Sequence, residues 1–339
     1  MSQLILGWGQ TGMSIAKFFD DSGFDDYKVW DDFSSDIKTE RKEESLLNIN
    51  NYDKIYVSPG VPPTHPLILQ ATDSEKSITV ETDLDIFFDT HKELELKIIG
   101  ITGTNGKTTC AELLKEVLAN SGFNVEVCAN VGYPILNLTN LKDYDYLILE
   151  LSSFQLHYVQ RMKLDIAGII NITEDHIDWH GSTQHYQNSK LSISDYTPTS
   201  SKTILGTLPN KILKDLDMDQ YSIIKKAIKD KNNISQDIQN VIHGVCEVLN
   251  ISDQRVEEVL DRNRINLHRF EIIGSNDEFT FINDSKATNF SAVTSALKQI
   301  EKGLLILHGN LKGVSSSYLD IPAGIHSIVF YGNNEIEYD

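Results

Sequence analysis

Between Ile98 and Thr109 the chain reads Ile-Ile-Gly-Ile-Thr-Gly-Thr-Asn-Gly-Lys-Thr-Thr, and an amphipathic helix pattern follows from Cys110 to Ser121. No other segment constrains the fold as much. An apolar strand, a glycine-rich turn and a helix N-terminus in that order make a cradle for phosphate. Glycines let backbone N–H groups close on the anion, Lys107 is placed to reach the β and γ oxygens of ATP, and the Thr108 hydroxyl is placed to ligate Mg²⁺. The strict pattern has glycine at position 101, where this chain has isoleucine. The motif is therefore the variant Gly103-Thr104-Asn105-Gly106-Lys107-Thr108-Thr109. A plain Gly/Thr turn with a solvated lysine would not require a strand and a helix on the correct sides.

The 339 residues leave room for two or three domains with real cores. A formal net charge of −19, with no Lys/Arg cluster to offset it, argues against a nucleic-acid surface but not against local nucleotide sites. Three scattered cysteines without metal spacing fit a reducing cytosol. No apolar run approaches the roughly 20 residues that span a bilayer, so a cytoplasmic protein without membrane insertion is expected, acting as a monomer.

Upstream, a short strand from Ser2 to Trp8 enters Gly7-Trp-Gly-Gln-Thr-Gly12, a helix covers Met13 to Asp20, and the strand Tyr27 to Trp30 ends in Asp31 and Asp32. This is a Rossmann-like βαβ pattern with an acid about 20 residues after the glycines, so NAD is its first reading. A lone GxGxxG serves any diphosphate ligand, and an oxidoreductase would not explain the second cradle. The polar stretch Thr90 to Leu96 reads as a linker. Near-continuous apolar runs at Tyr144–Leu149 and Ile166–Asn171 predict parallel strands covered on both faces. Helices are expected at Thr183–Ser194, Ile238–Leu249 and Asp253–Arg262. A hairpin over Phe270–Ile273 and Glu278–Ile282, a helix at Ala292–Ile300 and strands at Leu304–Leu307 and Ser327–Tyr331 complete the chain. The fold class is α/β, divided at residues 1–90, 91–265 and 266–339.

Glu150 closes a predicted strand and is placed to hold Mg²⁺ beside the cradle. Glu174, Asp175, His176, Asp178 and His180 crowd the loop after the strand ending at Asn171, a density that suggests a metal or phosphate site. Lys190 cannot be told from a surface lysine by charge pattern. Asp284 is placed to accept ribose hydroxyls, and Arg269 and Lys286 to bring positive charge toward the γ-phosphate.

With these residues in order, the chain resembles the ATP-dependent Mur ligases of peptidoglycan precursor synthesis, most closely the D-glutamate-adding type. The match runs through Gly7–Gly12, Ser58-Pro-Gly60 with His65-Pro66, and Gly103–Thr109. It continues through Asn130-Val-Gly132, Glu150-Leu-Ser-Ser-Phe-Gln155, Asn171-Ile-Thr-Glu-Asp-His176, Tyr186–Lys190, His268-Arg-Phe270 and Asn283-Asp-Ser-Lys-Ala-Thr-Asn289. The resemblance implies a Rossmann-like N-terminal domain, a central P-loop ATPase-like domain and a Rossmann-like C-terminal domain. It implies UDP-N-acetylmuramoyl-L-alanine and D-glutamate as substrates, joined through an acyl phosphate made with ATP. By the same resemblance Lys107, Thr108 and Glu150 serve the phosphates and one Mg²⁺, and His176 with a carbamylated Lys190 supports a second. Asn130 and His176 lie near the muramoyl end, Gln10, Thr11, Asp31, Asp32 and Ser58 hold the UDP moiety, and Asn240 belongs to the adenine side.

The chain departs from the family pattern in several places. Phe33 stands where many relatives have arginine, Gln236-Asp237 replaces a His-Asn pair, and His308-Gly-Asn-Leu-Lys312 keeps the lysine of Gly-Gly-Asp-x-Lys but not its acid. The C-terminal Ser-Pro…Ser…Asp…Phe segment of the family is absent after Asp339. A truncated C-terminal domain is therefore expected, with weak D-glutamate incorporation and exposed apolar strand surface near Ile328–Tyr331. The rival readings are a Mur-type ligase for another amino acid and a non-catalytic nucleotide-binding relative.

Overall fold

A computed structural model describes residues 2–33, 48–130, 133–198, 201, 203–223, 234–262, 270–309, 312 and 319–331. The N-terminal region runs β1 (Gln3–Leu6), α1 (Gln10–Asp21), β2 (Tyr27–Trp30), β3 (Lys54–Val57), α2 (Pro66–Asp73), β4 (Thr79–Glu81) and α3 (Asp83–Thr90). Its four parallel strands lie in the order β2-β1-β3-β4. The glycine turn after β1 depends on two close approaches. Gly7 has φ +93°, and a Cβ on Gly12 would overlap the Gly7 carbonyl oxygen, so helix α1 starts directly against the strand end.

The central region contains β5 (Lys97–Thr102), α4 (Lys107–Asn120), β6 (Val125–Ala129), β7 (Tyr146–Glu150), α5 (Ser153–Tyr158), β8 (Ile166–Asn171), α6 (Ile177–His180) and α7 (Thr183–Leu191). It continues through β9 (Thr203–Thr207), α8 (Asn210–Asp215), β10 (Tyr221–Ile223), α9 (Gln236–Val248) and α10 (Asp253–Arg262). Six parallel strands lie in the order β10-β9-β8-β5-β7-β6. The apolar runs behave as expected, since β7 is buried throughout and β8 is buried up to Asn171. One face packs α4, α9 and α10 through Leu114, Val117, Val241, Val245 and Val259, and the other packs Leu156, Leu164, Tyr186 and Ile193.

The N-terminal and central regions share cores. Leu84 and Phe87 of α3 pack into the central cluster, while Tyr158 and Trp179 pack into the N-terminal one. At this junction the Asp85 carboxylate accepts the backbone N–H groups of Gln160 (2.8 Å) and Arg161 (2.7 Å), and the Arg161 guanidinium pairs with Glu81 and Asp89.

The C-terminal region has an antiparallel hairpin, β11 (Glu271–Ser275) with β12 (Thr280–Asn283), then α11 (Phe290–Leu297) and a parallel pair, β13 (Gly303–His308) with β14 (Ile325–Tyr331). Its buried apolar cluster comprises only Val293, Leu297 and Leu319 among the described residues. As expected near Ile328–Tyr331, Val329 and Tyr331 are exposed.

Helix α4 starts at Lys107 rather than Cys110. Gly106, at φ +84°, turns the chain in a conformation that L side chains rarely adopt, and the helix begins on the next residue with Thr108 and Thr109 in its first turn.

Candidate active site

The phosphate loop is suspended from the end of β8. The Thr104 N–H donates to the Asn171 carbonyl (2.9 Å), and the Asn105 N–H donates to Asn171 Oδ1 (2.9 Å). The Thr104 hydroxyl donates to the Thr173 carbonyl (3.1 Å), accepts the Thr173 N–H (3.0 Å) and lies 2.8 Å from the Tyr186 hydroxyl. Thr104, expected among the ATP contacts, thus turns its side chain inward as a brace, and its backbone N–H is engaged by Asn171 as well. Asn171 also donates to the Asp237 carboxylate (3.3 Å), so the residue that departs from the family pattern on α9 supports the loop's own support.

Two lysines converge on one carbonyl. Lys107 Nζ donates to the Gly103 (2.9 Å) and Thr104 (3.1 Å) carbonyls, and Lys190 Nζ donates to the Gly103 carbonyl (2.8 Å). Lys190 is 2% exposed. Burial, followed by the neighbouring Lys107 charge, holds its amine well below the usual lysine range, against the pull of Asp175 and Glu150. Glu150, at the end of β7, is likewise buried. Its Oε1 accepts from Asn130 Nδ2 (2.9 Å), and its Oε2 is buried without a hydrogen-bond partner. A buried, unpartnered carboxylate oxygen is a costly arrangement that a cation would relieve. Thr108 and Thr109 are half-buried in the first helical turn. These features fit a nucleoside triphosphate with a divalent cation.

His176 caps α6 from a left-handed conformation, φ +53°, and sets its ring against Phe154 at a centroid distance of 4.7 Å. Burial pushes its pKa down to about 4 against the opposing charge of Asp175, which leaves a neutral imidazole. The dense acid–imidazole loop does not form one metal cage. His180 is buried with Nε2 3.0 Å from the Ser153 hydroxyl, Glu174 accepts from Thr183 (3.1 Å), and Asp178 is exposed. Among the described residues no three His, Cys, Asp or Glu side chains converge for a metal. The left-handed turn at His176 and the short helix behind it send these side chains in different directions.

At the N-terminal glycine turn, Gln10 is exposed and Thr11 half-buried in the first turn of α1. Asp31 accepts the N–H groups of Trp8 (2.6 Å) and Phe33 (2.9 Å), and Asp32 is held by the Trp30 indole (2.8 Å) and His65 (3.1 Å). Ser58, expected to face the UDP ligand, is buried and donates to the Gly7 carbonyl (3.0 Å), bracing the turn. Phe33 is 97% exposed.

Asn240 is buried in α9, and its Oδ1 has no partner in the structure. In the C-terminal region Asp284 accepts the Phe270 N–H (2.9 Å) and Lys286 is exposed, while Arg269 lies outside the described residues. The residues that sequence reasoning left without a role are Asn171 and Asn289. A single amide beside a strand or before a helix has no local signature. Asn171 does directly follow a buried apolar run, which marks the strand end where ligands gather in parallel sheets.

Residues 101–261 match the family described as the Mur ligase middle domain. The chain is 31% identical over 327 residues to the UDP-N-acetylmuramoylalanine–D-glutamate ligase of Francisella tularensis subsp. tularensis, covering 91% of this chain and 74% of the relative. The chain belongs to the Mur ligase family. The subsp. novicida enzyme of the same name is 30% identical over the same shares of the two chains. Among solved structures, MurF from Acinetobacter baumannii superposes with a TM-score of 0.52 at 17% identity over 69% of this chain and 62% of its own. A pseudomurein peptide ligase type C from Methanothermus fervidus does so with a TM-score of 0.50 at 19% identity, over 91% and 79%. At these identities they support the Mur ligase fold alone.

Proposed function

We propose that this chain is a cytoplasmic ATP-dependent ligase that joins D-glutamate to UDP-N-acetylmuramoyl-L-alanine in peptidoglycan precursor synthesis. The observation that carries the reading is the 31% identity across 91% of the chain to an enzyme of that name. The division at residues 1–90, 91–265 and 266–339 goes with it. No helix of the described residues is long and apolar enough to cross a membrane.

The chemistry is the one the family resemblance implies. The substrate carboxylate attacks the γ-phosphorus of ATP and ADP departs, giving an acyl phosphate. The D-glutamate amine then attacks the acyl carbon and phosphate leaves. Lys107 and the backbone N–H groups of Gly103–Thr108 other than those of Thr104 and Asn105, which Asn171 engages, hold the triphosphate, where fixed positive charge opposes the charge developing on the transferred group. Mg²⁺, held by Thr108 and Glu150, would neutralise phosphate charge. Neutral His176 and Asn130 face the muramoyl end, and Lys286 and Asp284 approach the nucleotide from the C-terminal region. Asn240 stays on the adenine side.

Lys190 is best suited to carbamylation. CO₂ adds to a neutral amine, and a buried lysine beside a second ammonium group is biased to that form. The product would be an anionic oxygen ligand that, with His176, would hold a second Mg²⁺. ADP release coupled to a spectroscopic readout, with UDP-N-acetylmuramoyl-L-alanine and each candidate amino acid, tests the function. Turnover with D-glutamate alone is expected, whereas turnover only with another amino acid would move the chain to a sibling activity.

A further inference from the structure

Asn289 is the N-cap of α11, its Oδ1 accepting the Ala292 N–H at 3.0 Å. Capping uses one lone pair of an amide that has two donors besides. The same side chain forms a reciprocal pair with the phosphate-loop residue Asn105: Asn289 Nδ2 donates to Asn105 Oδ1 (2.8 Å), and Asn105 Nδ2 donates to Asn289 Oδ1 (3.3 Å). Asn289 Nδ2 also donates to Asp175 Oδ2 (3.2 Å). Asp175 is 4% exposed, and its other oxygen accepts the His176 N–H (2.9 Å) and lies 3.3 Å from Lys312 Nζ, a second side chain of the C-terminal region. The Asp178 N–H donates to the Lys312 carbonyl (3.2 Å). Asn105 is itself tied through its backbone to Asn171.

We infer that Asn289 is a positioning residue for phosphoryl transfer, bridging the phosphate loop and the start of α11 through Asn105 and Asp175. The bridge matters because the buried cluster of the C-terminal region is small among its described residues, so contacts of this kind hold it against the phosphate loop. Asn289 ends the segment that carries Asp284 and Lys286, and fixing it fixes their approach to the loop. The reciprocal amide pair also sets the side-chain identity. Only an amide can cap α11, donate to Asn105 and donate to Asp175 at once.

Three substitutions separate bridging from capping. Asn289→Ser keeps a good cap but is too short to reach Asn105 and Asp175. Asn289→Asp caps as well as asparagine yet loses the donor and faces the Asp175 carboxylate. Asn105→Ala removes the partner from the other side. Hydrogen exchange, read on residues 103–107 and on the first turn of α11, is the primary measurement. Asn289→Ser should leave the thermal midpoint unchanged and speed exchange of the phosphate loop about tenfold, the scale of a lost hydrogen-bonded pair. Asn105→Ala should do the same to α11, and the double variant should add less than about twofold, because both remove one contact.

In turnover, kcat should fall about tenfold for Asn289→Ser and further for Asn289→Asp, with the KM for the UDP substrate unchanged. The bridge is overturned if Asn289→Ser leaves loop exchange unaltered, if the two single effects multiply in the double variant, or if Asn289→Asp behaves as wild type. The kinetic arm rests on the ligase reading and the exchange arm does not. A wild-type chain without turnover would overturn that reading, and exchange would still decide the bridge.

Discussion

The central and C-terminal regions carry complementary halves of one proposed site on very different frames. In the centre, β7 is buried along its whole length, and the loop residues hang from Asn171 and Thr173 by half-buried hydrogen bonds and from Tyr186 by a buried one. In the C-terminal region Leu304 (59%), Ile306 (70%) and Tyr331 (73%) are exposed, and the buried cluster is small. The central frame pre-organises charge, which is what electrostatic stabilisation of phosphoryl transfer requires. Among its described residues the C-terminal frame has a small buried cluster, and polar contacts tie it to its neighbour.

The largest effects should come from the central cradle. Lys107→Ala should reduce ATP-dependent turnover by about 10²-fold or more while the protein stays folded, since Lys107 Nζ donates to the Gly103 and Thr104 carbonyls of its own loop. Near-normal ADP release from that variant would break the comparison at its strongest point. Lys190→Ala should lose turnover by about 10²-fold and regain part of it in acetate, which supplies the missing anionic oxygen. Full activity without CO₂ or acetate would make Lys190 a packing residue only.

A smaller effect compares the two frames directly. Ile99→Ala, at a fully buried position of β5, should destabilise the protein by about 2–5 kcal/mol, whereas Ile306→Ala on β13 should cost about 0.5 kcal/mol or less. Urea titrations of the two variants check this. Equal losses would mean that the C-terminal strands are packed as firmly as the central sheet.

The smallest effect is a pH dependence of stability. Burial lowers the pKa of His157 to about 4 and of His180 to about 3, from an ordinary 6.5. Their folded-state values are depressed, so the unfolded chain binds more protons below pH 6.5. Stability should therefore be full above pH 6.5 and decline as pH falls toward 4. A thermal midpoint that stays flat or rises over that window would contradict the burial of these imidazoles.

The elements were legible where the local pattern is strong. Glycine-rich turns after apolar strands located α1 and α4, and the continuous apolar run of β8 announced a strand covered on both faces. Glu150 was legible because it ends such a strand next to the cradle. The orientation of Ser58 and Thr104 was not, since a hydroxyl can face a ligand or a neighbouring carbonyl with the same sequence around it. How the acid–imidazole loop is arranged was not legible for a related reason: composition shows which groups are near one another along the chain, and the left-handed backbone at His176 decides where they point. Asn105 and Asn289 are 184 residues apart, and nothing in either local sequence reports the other.

The most direct test of the central claim follows an oxygen atom. With UDP-N-acetylmuramoyl-L-alanine labelled with ¹⁸O in its carboxylate, phosphate released during D-glutamate-dependent ADP formation should carry one labelled oxygen, because the substrate carboxylate attacks phosphorus and that oxygen leaves with the phosphate. Mass spectrometry of the phosphate reads the result. Unlabelled phosphate accompanying ADP formation would mean that water, not the muramoyl carboxylate, takes the phosphoryl group, and would contradict the ligase account.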